Sequence, residues 1–487
     1  MAFFMLNSDH SRINIPKLKE KAIYWAMSHG ILMRTKGTHA SSSCSDHAPF
    51  ALFPSVTLHS LLEEAYSVQV DFNLLIHKVA HDYNFLCNSL KSVIEVDDFT
   101  KNMWEIYEAT LKQDDKRKQH VNLGIFRSDY MLHCDKGSSS LVIKDFAKHL
   151  QLKQIEINTI ASSFAGLATN MVSVHRYSMA LAGYYEIENQ VPNNNPANGL
   201  ARGMVEAWNF YGKANSVVLF IVSSCERNIF DQKLVEHAIF EINPKISIIR
   251  QSLEDICQNG YLNEENKLII DGLEIAVVYF RDGYSPDSYK SQQDWETRKM
   301  IELSFAIKCP SINYHLAGTK KIQQELSRPG VLEKFIPDGS RVQKLRNTFV
   351  EQYSLEMTPE GEEAVRLALE NPSNYVLKPQ REGGGNNIYG HEIKEYLSKI
   401  KNSTERTAYI LMERIFPFTQ KNILLFEKST DIVDTVSELG IYGIIVGDEH
   451  KIHMNEQVGH LMRTKVQGVD EGGISAGFAA IDSPYLV

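Results

Sequence analysis

The chain has 487 residues, 43% hydrophobic and 23% charged, enough for a soluble protein of two or three subdomains. Its formal net charge of -9 argues against a general binder of nucleic acid or of anionic membranes, either of which would carry a basic excess. Cys44, Cys87, Cys134, Cys225, Cys257 and Cys309 lie far apart with no CxxC pair, a pattern of free thiols rather than of a disulfide framework or a zinc site. No apolar run reaches the length of a membrane helix, and Met1-Ala-Phe-Phe-Met-Leu is too short and lacks the basic flank of a signal peptide. The expected location is cytoplasmic.

Along the chain, Gly37 to Asp46 reads as a polar loop, and apolar residues then recur at helical spacing from Thr57 to Val93 (Leu58, Leu61, Leu62, Ala65, Phe72, Leu75, Ile76, Val79). Lys153 to Asn158 alternates as a strand should. Ile155 and Ile157 are expected on the core face and Gln154, Glu156 and Asn158 on the other, which sets two hard oxygen ligands side by side. Ser216–Val222, Phe230–Ile242 and Ile246–Ile249 read as strand, helix and strand, a βαβ unit with a parallel pair. Leu268 to Phe280 is a hairpin about Asp271-Gly272, and its exit delivers Arg281 and Tyr284. These segments predict an α/β chain organised as a helical part with the metal strand (1–212), a small α/β domain (213–320) and a remaining body (321–487). Within the last lie a lid at about 350–415 and a small-residue loop at 466–478.

The most informative stretch is Lys378 to Gly390. Tyr375-Val-Leu-Lys378 reads as a short buried strand with Pro379 stopping the ladder, so Lys378 stands at the strand's end where an ammonium can meet phosphate oxygens. Gly383, Gly384 and Gly385 let the backbone approach a ligand, offer N–H donors to an anion, and can move as a lid. Glu382 beside them can hold a metal ion. No Lys-Ser or Lys-Thr follows the glycines at the spacing of a P-loop, so the nucleotide is held some other way. A helix is expected near His391 to Ile400, and Tyr409 to Ile415 reads as a further strand.

Together these stretches resemble the eukaryotic glutathione synthetase family of the ATP-grasp superfamily. The resemblance runs through Phe126-Arg-Ser-Asp-Tyr-Met131, Gln154-Ile-Glu-Ile-Asn-Thr159, Glu226-Arg-Asn-Ile-Phe-Asp-Gln232, Tyr279-Phe-Arg-Asp-Gly-Tyr284, Leu316-Ala-Gly-Thr-Lys-Lys321, the Lys378–Gly390 stretch, Ser437-Glu-Leu-Gly440 and His460-Leu-Met-Arg-Thr-Lys465. It implies an ATP-grasp fold with an inserted parallel α/β substrate-binding domain and a Gly-rich lid. It also implies an ATP-dependent ligase: ATP phosphorylates γ-glutamylcysteine, and the amine of glycine attacks the acyl phosphate. Such chemistry needs positioning and charge stabilisation rather than a protein nucleophile.

By the same resemblance Glu156, Asn158 and Glu382 match magnesium ligands. Lys320, Lys378 and Lys465 match the phosphate contacts of ATP, with Gly383, Gly384, Gly385, Asn387 and Tyr389 closing over them. Met412, Glu413 and Ile415 match the adenine segment, and Glu438 the ribose contact. Arg127, Ser163, Glu226, Asn228, Gln232, Arg281, Tyr284 and Arg463 match contacts to the dipeptide, with Arg127, Lys378, Glu382 and Arg463 assigned to catalysis. Ile474 and Ser475 belong to a second lid around the small acceptor, and a homodimer is implied.

Three places depart from the family pattern. Ala161 stands where serine is common, Ile474-Ser475 where Val-Ala is usual, and the connection at Leu141–Lys148 is longer. Two other readings therefore stay open: a diverged paralogue with an altered peptide or acceptor, and a non-catalytic binding protein that keeps the fold.

Overall fold

The computed structural model describes residues 14–36, 44–134, 147–426, 431–470 and 472–487. Most of the expected 37–46 loop, most of the 141–148 connection, the first residues of the chain and Glu471 of the small-residue loop lie outside the described residues.

Among the described residues the organising element is a seven-stranded sheet. Its order is Gln420–Leu425, Phe50–Ala51, Ala479–Asp482, Ile452–Val466, Ile432–Gly447, Asn122–Cys134, Leu150–Asn158. Neighbours run antiparallel except where Ile481 meets Phe50, and Gln420–Leu425 also pairs with the start of Ile432–Gly447. Both faces are covered, so successive residues of one strand enter different cores. Leu123 and Ile125 join Tyr442 and Ile444 under the helices Ala165–Leu181 and Pro196–Tyr211, whereas Phe126 and Tyr130 join Leu439 and Ile441 under His59–His81. The helical pattern of 57–93 forms two helices, His59–His81 and Tyr83–Ile94. Asp82 separates them, accepting from the Phe85 N–H at 2.9 Å as the cap of the second.

A second sheet holds Val217–Ile221 in parallel between Ile248–Gln251 and Leu273–Phe280, with Ile307–Cys309 parallel on the far side of Leu273–Phe280. The expected strand at Ile246–Ile249 begins two residues later, at Ile248. Val218 and Phe220 pack toward the central sheet while Leu219 and Ile221 pack against Leu253, Ile256 and Ile301, which is why the run is apolar throughout. The hairpin turn has Asp271 at φ 48° and Gly272 at φ 78°, both in the left-handed region that a two-residue turn of this type requires.

A third, four-stranded antiparallel sheet is ordered Gln352–Ser354, Tyr409–Glu413, Tyr375–Pro379, Ile388–Tyr389. Pro379 is the last residue of its strand, and Gly390–Ile400 is the expected helix. The strand expected at Tyr409–Ile415 ends at Glu413, although the Arg414 N–H still donates to the carbonyl of Asn374, its next partner in the same register, at 2.8 Å. This sheet has its own core, including Leu355, Leu377, Ile393, Leu397 and Leu411.

One sequence expectation is overturned. In the register of Leu150–Asn158 against Asn122–Cys134, Gln154 stands opposite Tyr130 and Glu156 opposite Asp129, leaving Ile155 unpaired as a bulge. The extra residue resets the alternation. Leu150, Leu152 and Ile157 are in the core, Gln154 is buried, and Ile155 lines the cavity beside Glu156 and Asn158 instead of facing inward.

Because the third sheet is packed largely on itself, Leu411→Ala is expected to cost about 2–5 kcal/mol there. Hydrogen exchange should show amides of 352–413 losing protection while those of the seven-stranded sheet keep theirs.

Candidate active site

The three sheets meet around one cavity of about 900 Å³. Every site residue expected from the sequence lines it except Gly385 and Gln232. Gln232 stands one layer back: its amide donates to Glu226 Oε2 at 2.6 Å and accepts from Arg250 Nη2 at 2.5 Å, so it holds Glu226 in place.

At the cavity's centre the Lys320 ammonium lies between two carboxylates, 2.7 Å from Glu382 Oε1 and 3.1 Å from Glu156 Oε2. Glu156 comes from the central sheet and Glu382 from the loop after the Tyr375–Pro379 strand. Burial pushes the Glu156 pKa up, but Lys320 and then Lys378 outweigh it and the net direction is down. Burial dominates at Glu382 and raises it to about 7, with the charge of Glu156 adding to the rise. For Lys320 the two carboxylates overcome burial, and its pKa rises. Lys378 is different. Its ammonium donates to the Ile155 carbonyl, the residue of the bulge, at 2.8 Å, and burial brings its pKa down to about 8. A buried cation held by a neutral acceptor keeps its charge available to an anion.

Gly383, Gly384 and Gly385 have φ of 99°, 73° and 77°, three successive left-handed residues that side-chain-bearing residues rarely adopt. A Cβ at Gly383 would also lie 3.0 Å from the Tyr284 ring. Asn387 Nδ2 donates to the Tyr389 hydroxyl at 3.2 Å, and the Arg414 guanidinium lies 5.7 Å from the centre of the Tyr389 ring. Arg414 also pairs with Asp470 at 2.8 Å, linking the third sheet to the small-residue loop. That loop is tied to the body by Arg227 Nη1, which donates to the Ser475 carbonyl at 2.5 Å, and Ile474 is buried.

Glu438 lies 2.8 Å from Arg463 Nη2 and 3.2 Å from Lys465 Nζ; burial raises its pKa, but those two cations bring it below the usual carboxylate value. Met412 pairs with Val376 across the third sheet, and both line the same end of the cavity together with Glu413 and Ile415, the last beyond the strand's end.

On the opposite side the Asn158–Phe164 turn is held under tension. Ala161 and Phe164 have φ of 52° and 74°, and buried Asp231 accepts from the Phe164, Gly166 and Leu167 N–H groups at 2.7, 2.8 and 3.2 Å, capping the helix that follows. Arg281 Nη2 donates to Ser163 Oγ at 2.5 Å, while among the described residues its Nε and Nη1 are buried without a hydrogen-bond partner.

These features are those of a site for phosphates and carboxylates, and comparison with known proteins agrees. The model of the eukaryotic glutathione synthase ATP-binding domain matches residues 13–486. The glutathione synthetases of Bos taurus and Homo sapiens are each 46% identical to this chain over 475 residues, covering 97% of this chain and 97% of theirs. The chain belongs to the eukaryotic glutathione synthase family. Its α/β fold is also that of the family: the solved apo structure of a glutathione synthetase-like effector from Globodera pallida superposes with a TM-score of 0.75 at 24% identity, covering 97% of this chain and 96% of the other. Members of this family are ATP-dependent ligases.

Sequence reading for the family's residues passed over several that the structure brings to the site. Arg381, next to Glu382, pairs with buried Asp97 at 2.6 Å and so fixes the start of the glycine loop to the helical body. Gln380 Oε1 accepts from the Lys321 N–H at 3.0 Å, bringing the third sheet to the helix that carries Lys320. Asp231 and Asp129 both sit in quoted motifs; the only signal for Asp129 was its i, i+2 spacing from Arg127, which places both on one face of a strand.

Lys320→Met leaves two partly buried carboxylates, with side chains 23% and 17% exposed, facing each other without their shared cation. Unfolding in denaturant is expected to show a loss of roughly 3–5 kcal/mol, partly restored by millimolar Mg2+, and an unchanged midpoint would mean that the two acids do not depend on Lys320.

Proposed function

We propose that the chain joins γ-glutamylcysteine to glycine at the expense of ATP, with a single observation carrying the reading: a cavity lined by cations from around all three sheets, with the Glu156 and Glu382 carboxylates joined at its centre by Lys320. ATP lies with its adenine end between Val376, Met412 and Ile415, its ribose near Glu438, and its phosphates toward Lys320, Lys378 and Lys465 under the Gly383–Gly385 loop. The buried, unpartnered Nε and Nη1 of Arg281 support it as a receptor for a dipeptide carboxylate, since a bound carboxylate supplies the missing acceptors. Arg127, Arg463, Ser163, Glu226 and Asn228 line the same part of the cavity.

The terminal phosphoryl group passes from ATP to the dipeptide's glycyl-accepting carboxylate, leaving ADP. The amine of glycine then attacks that acyl phosphate, forms the amide, loses a proton to solvent and expels phosphate. Lys378 and Lys320 stabilise the oxygens of the moving group, and the glycine loop keeps water from the acyl phosphate. Glu156, Glu382 and the Asn158 side-chain oxygen are the residues that would hold Mg2+. They form a set of hard oxygen donors suited to that ion, with the amide completing it, although among the described residues no group of three or more His, Cys, Asp or Glu side chains forms a metal site. When bound, Mg2+ would neutralise phosphate charge. The small-residue loop with Ile474 and Ser475 leaves room for an acceptor the size of glycine. A homodimer follows the family resemblance and is proposed with it; the described helices include none long and apolar enough to cross a membrane.

The test is ADP release with each substrate omitted in turn. Release that requires both γ-glutamylcysteine and glycine supports the proposal, and equal release without the dipeptide, or a marked preference for another amine, overturns it in favour of an altered substrate. Glu382→Ala is expected to abolish dipeptide-dependent release with the circular dichroism spectrum unchanged, because it removes a loop carboxylate rather than a core contact.

Ala161 affords a finer check. Ser162 Oγ faces the Asn158 carbonyl at 3.5 Å and Ser163 Oγ is engaged with Ala161 O and Arg281, so neither hydroxyl replaces the one absent at 161. Ala161→Ser is expected to restore one hydrogen bond, about 0.5–1.5 kcal/mol, and lower the dipeptide KM several-fold with the ATP KM unchanged.

A further inference from the structure

Asp129 is fully buried and does not line the cavity, yet its carboxylate is shared by three of the residues that do. Arg127 Nε donates to Oδ1 at 2.6 Å and Arg127 Nη2 to Oδ2 at 2.8 Å. Arg463 Nη2 and Asn158 Nδ2 each donate to Oδ2 at 3.0 Å. Four N–H groups on one carboxylate fill its acceptor capacity. The donors belong to three strands. Arg127 shares the strand of Asp129, Asn158 is opposite Arg127 on the next, and Arg463 lies on the strand beyond Ile432–Gly447.

To reach Arg463 the carboxylate must cross the intervening strand, and at the crossing stands Gly440, the register partner of Asp129. A Cβ on Gly440 would lie 2.6 Å from Asp129 Oδ1 and 2.8 Å from Arg127 Cδ. The glycine is a window through which one acid grips two arginines. Arg463 also pairs with Glu438, which Lys465 shares, so the three cations Arg127, Arg463 and Lys465 stand against two carboxylates and leave one net positive charge at the cavity.

The contact to Asn158 has a separate result. Its Nδ2 donates to Asp129 Oδ2 and, at 3.4 Å, to the Arg127 carbonyl, so both amide protons are committed inward and Oδ1 is the atom left for a ligand. A free amide oxygen on a residue that lines the cavity with Glu156 is what a hard cation needs, whereas the NH2 group would repel it.

We propose that Asp129 is the positioning residue of this site, setting the separation of the Arg127 and Arg463 guanidiniums for a dipeptide carboxylate and turning the Asn158 amide so that its oxygen faces the metal. The proposal rests on the substrate and metal assignments above, and the experiment separates the two. Protein and variants are loaded with a non-hydrolysable ATP analogue. Binding of γ-glutamylcysteine is measured by calorimetry, Mn2+ binding by the loss of its free paramagnetic resonance signal, and analogue binding without divalent cation by calorimetry.

In Asp129→Asn the dipeptide Kd should rise about tenfold or more and the Mn2+ Kd about 10- to 100-fold, with metal-free analogue binding changed less than about twofold. Gly440→Ala keeps the aspartate but closes the window, and should give the same split; it also serves if Asp129→Asn fails to fold. Asp129→Glu, which keeps the charge, should recover Mn2+ binding at least in part. Wild-type dipeptide and Mn2+ affinities in folded Asp129→Asn and Gly440→Ala would overturn the proposal. So would a parallel loss of all three affinities together with Tm, the signature of a purely structural acid. If the unmodified protein fails to bind γ-glutamylcysteine, the substrate reading falls, while the Mn2+ arm still decides whether Asp129 orients Asn158.

Discussion

One ammonium, that of Lys320, joins Glu156 of the central sheet to Glu382 on the loop that leaves the third sheet, and with Lys321, Gln380 and Arg381 it sets how the third sheet meets the body. Two partly buried acids sharing one ammonium cannot both stay charged without it. Lys320 supplies that cation from a helix whose next residue, Lys321, reaches Gln324, Glu325 and Ser354 at 2.9, 2.8 and 3.0 Å and so holds the Gln352–Ser354 strand to the same helix. Adjacent lysines thus serve the cavity and the join beneath it. Lys378, resting on a carbonyl, is not neutralised in this way and remains the cation with charge to spare.

The central sheet makes such a cluster possible because it is covered on both faces. Strand residues that would otherwise point to solvent are enclosed, so Arg127, Asp129, Glu438 and Arg463 lie in surroundings that strengthen each charge–charge contact. The small parallel sheet and the third, four-stranded sheet close the remaining sides, and the cavity is where the three leave space.

The helix-rich stretch of 57–93, the apolar parallel strands and the Asp271-Gly272 turn follow from local chemistry, whereas the long central strands Asn122–Cys134, Ile432–Gly447 and Ile452–Val466 are not among the elements that periodicity picks out. What was not legible depends on partners distant in the chain. Nothing in Lys153–Asn158 announces that Ile155 is a bulge, since the bulge is set by register against Asn122–Cys134, and one inserted residue reversed the face expected for Gln154 and Ile155. The site residues came from motif resemblance more than from spacing. Gln232 proved to stand behind Glu226, and Asp129, in the same motif as Arg127, gave no sign that it would reach Arg463 across a glycine. Ile415 leaves its strand yet stays at the cavity because the chain turns along its wall.

The pair of Arg414 and Asp470, which joins two covers of the cavity, the third sheet and the small-residue loop, has side chains 31% and 40% exposed to water. An ion pair so placed contributes no more than about 0–1 kcal/mol and is screened within roughly 8 Å at physiological ionic strength. It therefore sets where the covers meet without holding them shut. Thermal motion can part them many times before a nucleotide leaves, and the persistence of a closed cavity rests with the buried Lys320 cluster and whatever anion lies against it.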